Sequence, residues 1–225
     1  MVPTNTLKEI INFMVLNSKV KSYFTLVLIA VSISCTKAQM PDPSPILRKE
    51  VVVENQVFKV WYNEVYEQPM KLIYTSTNRP KGVDRGSMDF HTEKGIHTSD
   101  KDDYYRNIWD KGHLAPAATY SDVYENLYLT FSYLNCALQD QYLNRGEWRL
   151  LEEQERVWDD IENLTVTVEL IFDDGHEILP TGGHIPTDMV KHIYFENSKI
   201  YKCFEFENTK PTTGWEEHQV THNHD

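Results

Sequence analysis

The residue types with the clearest chemical meaning lie in Asp110-Lys111-Gly112-His113-Leu114-Ala115-Pro116-Ala117 and, further on, at Asn144, Trp148, Glu152 and Arg156. A histidine supplies a proton acceptor at neutral pH, an asparagine a neutral oxygen for a hard cation, and arginine or lysine a phosphate contact. Together they form the equipment for cutting a phosphodiester, which needs a group to take a proton from water and positive charge around the phosphorus.

His113 suits the first task, because a reference pKa of about 6.5 leaves neutral imidazole abundant at pH 7 and general-base catalysis typically contributes about 10² to 10⁴ in rate. Gly112 lets backbone and substrate approach closely. Asn144 suits magnesium, which keeps most of its waters and often uses only one or two protein groups. Glu152 lies two helical turns on, near enough to hold waters around such an ion. Arg156 follows it in the favourable Glu-to-Arg order at i, i+4 and aims a guanidinium at the same cleft. Singly, each has a plainer reading: a turn with a surface histidine, a solvated helix face, an asparagine cap.

These side chains need a frame. Residues 51–53 and 57–62 are rich in β-branched and aromatic side chains and predict a hairpin turned at Asn55-Gln56. Residues 71–77 predict another strand, ended by Asn78-Arg79-Pro80, before a long polar loop over 81–103 and a short strand over 104–109. From 143 to 161 most apolar residues fall on one broad stripe with Glu and Arg opposite, which predicts a helix. Residues 164–172 alternate as a strand turned by Asp173-Asp174-Gly175, and 189–195 and 199–206 add two more. The order predicts an α+β domain with a mainly antiparallel sheet.

A chain of 225 residues supports one domain of ordinary size, and 40% apolar with 12% aromatic content argues against wholesale disorder. Residues 23–33 form an apolar run preceded by Lys19 and Lys21; it is far shorter than the roughly 20 residues of a membrane span and reads as a signal-peptide core. The expected organisation is a signal peptide over 1–38, a proline-rich linker over 39–48, the folded domain over 49–210 and a polar tail over 211–225. Met14 is an alternative start and Cys35 an imperfect lipid-anchor site. The expected location is secreted or periplasmic, with no stable membrane span. Without the leader only Cys136 and Cys203 remain, read as two buried thiols rather than a pair, and no CxxC offers a zinc site. In the tail, His218, His222 and His224 have the spacing of a weak transition-metal site, but a loose polar segment is the stronger reading. The net charge of −12 is awkward for a polyanion-binding protein, so any cationic surface must be local and long polyanions should bind weakly outside the cleft.

The segment from Asp110 to Arg156 resembles the DNA/RNA non-specific endonucleases, the endonuclease G-like members of the ββα-metal (His-Me finger) nucleases. The family block Asp-Arg-Gly-His-Leu-Ala-Pro-Ala is matched by Asp110–Ala117. Its second block is matched by Tyr133-Leu134-Asn135, Gln139 and Asn144-Arg145-Gly146-Glu147-Trp148-Arg149-Leu150-Leu151-Glu152. The similarity covers roughly residues 57–208, with Gly183, Pro186 and Lys191 similar to its later part. It implies a ββα-metal core, with His113 as general base and Asn144 as the direct ligand of Mg2+, for which Mn2+ can substitute. It implies Glu152 as outer-shell carboxylate and Arg85, followed by Asp89-Phe90, rather than Arg79 as the arginine at the scissile phosphate. By the same resemblance Arg156 matches a phosphate-binding arginine and Asn135 a supporting asparagine beside the histidine, and both are placed with Lys111 on the substrate side. DNA and RNA are the implied substrates and a homodimer is admitted.

The departures are specific. Lys111 stands for the family arginine, which keeps charge but loses the planar two-pronged grip and points to reduced rather than absent activity. Leu138 replaces a proline, Glu169-Leu170-Ile171 lacks the customary Thr-Gly-Pro, and the chain ends soon after Asn208, which predicts a sheet trimmed at its edge. Two functions follow: a secreted, Mg-dependent, sugar-nonspecific endonuclease leaving 5′-phosphate ends, or a weakened relative that binds nucleic acid or a protein partner without turnover.

Overall fold

The computed structural model describes residues 46–221; the expected leader, most of the linker, His222 and His224 lie outside them. The main sheet is antiparallel and seven-stranded, in the order β1 (Val51–Glu54), β2 (Phe58–Asn63), β3 (Gln68–Ser76), β6 (Leu164–Ile171), β7 (Asp188–Phe195), β8 (Tyr201–Glu207) and β9 (Gln219–Val220). A separate antiparallel hairpin pairs β4 (Trp109–His113) with β5 (Cys136–Asp140). Helix α1 (Tyr124–Thr130) lies between them in sequence, and α2 (Gln141–Leu143), a π-turn over Asn144–Trp148 and α3 (Arg149–Asp159) follow β5 directly. The expected α+β class and antiparallel sheet are therefore what the chain forms, and among the described residues no helix is long and apolar enough to cross a membrane.

The hairpin of β1 and β2 closes as the sequence asks, with Asn55 Oδ1 accepting from the backbone N–H groups of Val57 and Phe58 at 2.8 and 3.0 Å. The alternation in β6 buries Leu164, Val166, Val168 and Leu170. Across the sheet, Val60, Leu72, Val168, Lys191 and Phe204 are register neighbours and all are fully buried. A lysine in the middle of that apolar row dictates what can cover it. Of the apolar stripe expected from the sequence, Leu143, Trp148 and Leu151 are buried and Trp158 packs against the core, but Val157 and Ile161 are 55% and 78% exposed, and Glu155 and Asp159 share the inward side of α3. Glu155 accepts from Lys191 Nζ at 2.7 Å and from the Tyr74 hydroxyl, and Asp159 accepts from Ser76 Oγ at 2.6 Å. Buried charges are tolerated only when so partnered.

Other expectations need correction. Residues 104–108 are turn rather than strand, and the strand is the motif itself, Trp109-Asp110-Lys111-Gly112-His113. The helix over 143–161 is broken at Gly146 (φ −103°, ψ −113°), where the lack of a Cβ permits a π-turn. Residues 211–221 are not a loose tail. Trp215 packs on Trp158 and Phe204, its N–H donates to Glu147 Oε2 at 2.8 Å, and β9 extends the sheet beside β8, so the sheet does not stop at Asn208. His218 stacks on Phe206 and bonds the Glu205 carbonyl, which commits it to packing. Cys136 and Cys203 are both free and buried. At the other end Arg48, expected in the linker, is clamped on Glu64 at 2.6 Å.

Candidate active site

In the β4–β5 hairpin Gly112 faces Ala137 and His113 faces Cys136. A Cβ at Gly112 would fall 2.2 Å from Gln139 Oε1, so the glycine is required by the glutamine side chain crossing the hairpin, not by an approaching substrate. After His113 the chain turns away and Asn135 fixes the turn. Its Oδ1 accepts from Ala115 N–H at 2.7 Å and its Nδ2 donates to the carbonyls of Ala115 and Thr130, both at 2.9 Å. Asn135 is fully buried with its amide spent on backbone. Its placement among substrate contacts is therefore corrected: it positions the loop behind the histidine.

The His113 ring stands against Phe90 and edge-on to Phe131, at centroid distances of 4.8 and 5.0 Å. The ring as a whole is partly exposed, but Nε2 is buried and has no hydrogen-bond partner. Burial, and secondarily the nearby positive Arg85, push its pKa down to about 4. A protonated imidazole here would lose its hydration against aromatic carbon, so the neutral base persists well below pH 7.

Two cations share that wall. Arg85 lies 4.8 Å over the Phe131 ring, and Lys111 lies 5.4 and 5.5 Å over Phe90 and Tyr133 while donating to Asp89 Oδ1 at 3.1 Å. Lys111 and His113 alternate on β4 and so face the same way. On the opposite face of β4, Asp110 accepts from Asn144 Nδ2 at 2.9 Å and from Arg145 Nε and Nη2 at 2.7 and 2.6 Å. With the amide nitrogen held, Asn144 Oδ1 is left without a hydrogen-bond partner among the described residues.

Glu152 and Arg156 sit on α3. Glu152 Oε1 is buried without a hydrogen bond, 3.9 Å from Lys191 Nζ, and the indole N–H of Trp148 approaches the carboxylate without reaching hydrogen-bonding geometry. Burial raises the Glu152 pKa to about 7; Lys191 and Arg156 pull it down and Glu155 pushes it up. Arg156 Nη1 is likewise buried and unpaired. No hydrogen bond, ion pair or ring contact among the described residues joins Glu152 or Arg156 to His113 or Asn144. The π-turn between them also means that Asn144 and Glu152 do not occupy one regular helical face as the sequence suggested.

Among the described residues no group of three or more His, Cys, Asp or Glu could hold a metal. The donor set still fits magnesium: a free amide oxygen on Asn144 and an unpaired carboxylate oxygen on Glu152 are hard ligands, and this ion needs few from the protein.

The family described as DNA/RNA non-specific endonuclease matches residues 42–223. The chain belongs to that family. It is 34% identical to the mitochondrial endonuclease G of Bos taurus over 85 residues, which are 35% of this chain and 28% of that protein, so it spans less than a third of the curated relative it matches. A crystal structure of the EndoG/EndoGI complex, described as giving the mechanism of EndoG inhibition, superposes with a TM-score of 0.67 at 25% identity, covering 76% of this chain and 80% of that chain.

Within this DNA/RNA non-specific endonuclease fold several functional residues escaped the sequence. Asp110 aligned with the motif but had no role until its bond to Asn144 was seen. Phe90 entered only as a neighbour that singled out Arg85, and Phe131 carried no signal, since an aromatic wall arises only in three dimensions. Lys191 did carry one: it stands at an inward position in an otherwise apolar strand.

Proposed function

We propose that this chain is a magnesium-dependent endonuclease hydrolysing DNA and RNA, secreted or periplasmic after removal of residues 1–38, with its catalytic domain following a linker over 39–48. The observation that carries the reading is His113, held neutral against Phe90 and Phe131 beside Arg85 and Lys111, on the strand whose Asp110 fixes Asn144. Neutral His113 takes a proton from a water whose oxygen attacks phosphorus. The bond from phosphorus to the 3′ oxygen breaks in line, leaving a 5′-phosphate and, once protonated, a 3′-hydroxyl. Arg85 and Arg156 neutralise the phosphate oxygens, their guanidinium forks matching its geometry. Asn144 Oδ1 would hold the ion directly and Glu152 through the surrounding shell; when bound, it supplies positive charge to the phosphate and leaving oxygens.

Plasmid and RNA cleavage measured with magnesium, with EDTA and with His113→Ala tests this. Loss of supercoiled DNA that is equal in wild type and His113→Ala sinks it. The second reading, a binder without turnover, is favoured by Lys111 being committed to Asp89 and by the acidic surface; retention on nucleic acid without cleavage supports it. A homodimer is tested by sedimentation. Mass spectrometry of the exported protein tests cleavage after Ala38.

A further inference from the structure

Helix α1 carries Tyr124 and Tyr128 one turn apart, 58% and 40% exposed. Their rings are nearly parallel, with centroids 6.2 Å apart and planes inclined by 17°, and Tyr128 lies flat on His91 at 4.2 Å and 7°. Neither tyrosine hydroxyl makes a hydrogen bond among the described residues. The ladder starts at the candidate site. His91 bonds backbone to backbone with Phe131 and Tyr133, both at 2.9 Å, and the Phe131 ring stands against His113 with Arg85 over it. From there the rings lead outward along α1 to Asp122, where Arg79 is anchored at 3.3 Å with its Nε buried and unpaired.

We propose that this stack, in which His91 and Tyr128 cover one another's faces, presents the outer ring, Tyr124, as a platform on which a base of an unpaired strand leaving the cleft continues the stack, so that this chain acts on single-stranded or locally melted nucleic acid in preference to duplex. This rests on the nuclease reading above. Stacking on aromatic rings is indifferent to charge and accepts any base, because every base has a π-face. Paired bases have both faces covered and cannot use it. The alternative, gripping a duplex by its phosphates, depends more steeply on neutralising charge, and this chain has a net charge of −12. The carboxylates beside the ladder point the same way: Glu93 lies 3.5 Å from His91, and Glu125 and Asp122 flank the tyrosines. They repel a phosphate backbone and leave a base-inward strand as the occupant that fits.

The test is fluorescence anisotropy on the non-cleaving His113→Ala protein, with a short oligodeoxythymidylate and a blunt duplex of equal length as probes. Tyr124→Ala and Tyr128→Ala, each added to that background, should weaken single-strand binding about tenfold, with the duplex unchanged. Tyr124→Phe and Tyr128→Phe keep the ring and should keep the affinity, and thermal unfolding controls for folding. Equal losses on both probes, no loss on either, or no single-strand binding by the His113→Ala protein overturns the platform. Cleavage separates the two readings. His113-dependent cutting by a protein whose tyrosines do not affect single-strand affinity sinks the platform and leaves the nuclease. Tyrosine-dependent binding with no His113-dependent cutting sinks the nuclease and leaves the platform.

Discussion

Around His113 the walls are carbon; around Glu152 they are ionic. The histidine faces Phe90 and Phe131, and burial holds it neutral down to a pKa of about 4. The glutamate lies near Lys191, but that lysine is closer to Glu155, at 2.7 Å against 3.9 Å, so one cation serves two carboxylates and burial keeps the Glu152 pKa near 7. Both groups are thus tuned toward neutrality by desolvation, in opposite senses for a base and an acid. A cation entering the site would join Lys191 and Arg156 in pulling the Glu152 pKa down.

The comparison breaks most visibly at the histidine. His113→Ala should lower cleavage by about 10² to 10⁴. In the wild type the limb of the pH–rate profile that His113 sets should lie nearer 4 than 6.5, below the limb that ionisation of Glu152 sets near 7. Phe90→Ala, by opening one wall to water, should move the His113 limb upward; a limb that stays put would mean that aromatic burial is not what depresses the pKa.

The next largest effect lies in the ionic region. Lys191→Met leaves Glu155 buried without its cation and Glu152 with only Arg156, and should destabilise by about 3–5 kcal/mol, seen as a fall in the denaturant midpoint. Adding Glu155→Leu should recover most of it, because the pair is replaced by apolar volume. If the double variant is as unstable as the single one, Lys191 acts through packing over Trp148, 4.2 Å away, rather than through charge. A smaller effect, at most about 3 kcal/mol, comes from Glu152→Gln. The unfolded carboxylate ionises first as pH rises, so Glu152 costs stability progressively between about pH 4.5 and 7, and the glutamine variant should gain on wild type over that window. His113 has the opposite sign. Its unfolded form takes up the proton first as pH falls, so stability present above about 6.5 is lost toward about 4. Unfolding curves for both variants at pH 4.5 and 7 check the two signs together.

How much of this could be read beforehand differs between the same two regions. The histidine was legible because its motif is contiguous, Asp110 through Ala117, and β-branched runs placed most strands of the main sheet within a residue or two; the strand carrying the motif was expected too early, at 104–109. Strand β5 was not legible, since Cys136-Ala137-Leu138-Gln139-Asp140 has no β-branched residue and pairs only because β4 is beside it. Helix α3 was found from a stripe that is only half its inward side: Leu151 is buried and Trp158 packs on the core, but the rest of that side is Glu155 and Asp159. Those two carboxylates face inward because Lys191, Tyr74 and Ser76 arrive from three places in a sheet that no local pattern describes. Asn135 was placed on the substrate side by the resemblance, which also implies support beside the histidine; the closed set of bonds to Ala115 and Thr130 keeps the second role and leaves no amide for the first.

The smallest effect tests where this chain differs from its relatives. Lys111 keeps the positive charge of the family arginine and lies over Phe90 and Tyr133, yet its one ammonium is already engaged with Asp89, whose side chain is 77% exposed. An exposed pair of this kind contributes little to stability, so Lys111→Arg should leave the midpoint unchanged within about 0.5 kcal/mol. Its effect belongs to phosphate. A guanidinium can keep one N–H on Asp89, lie flat on the same two rings and still present a second prong, which an ammonium cannot do. Lys111→Arg should therefore raise kcat/KM by less than about tenfold, with Asp89→Asn raising it in the lysine background by freeing the cation. If Asp89→Asn instead lowers activity, the carboxylate is orienting Lys111 rather than sequestering it, and the lysine is this chain's working phosphate contact on the carbon-walled side of the site.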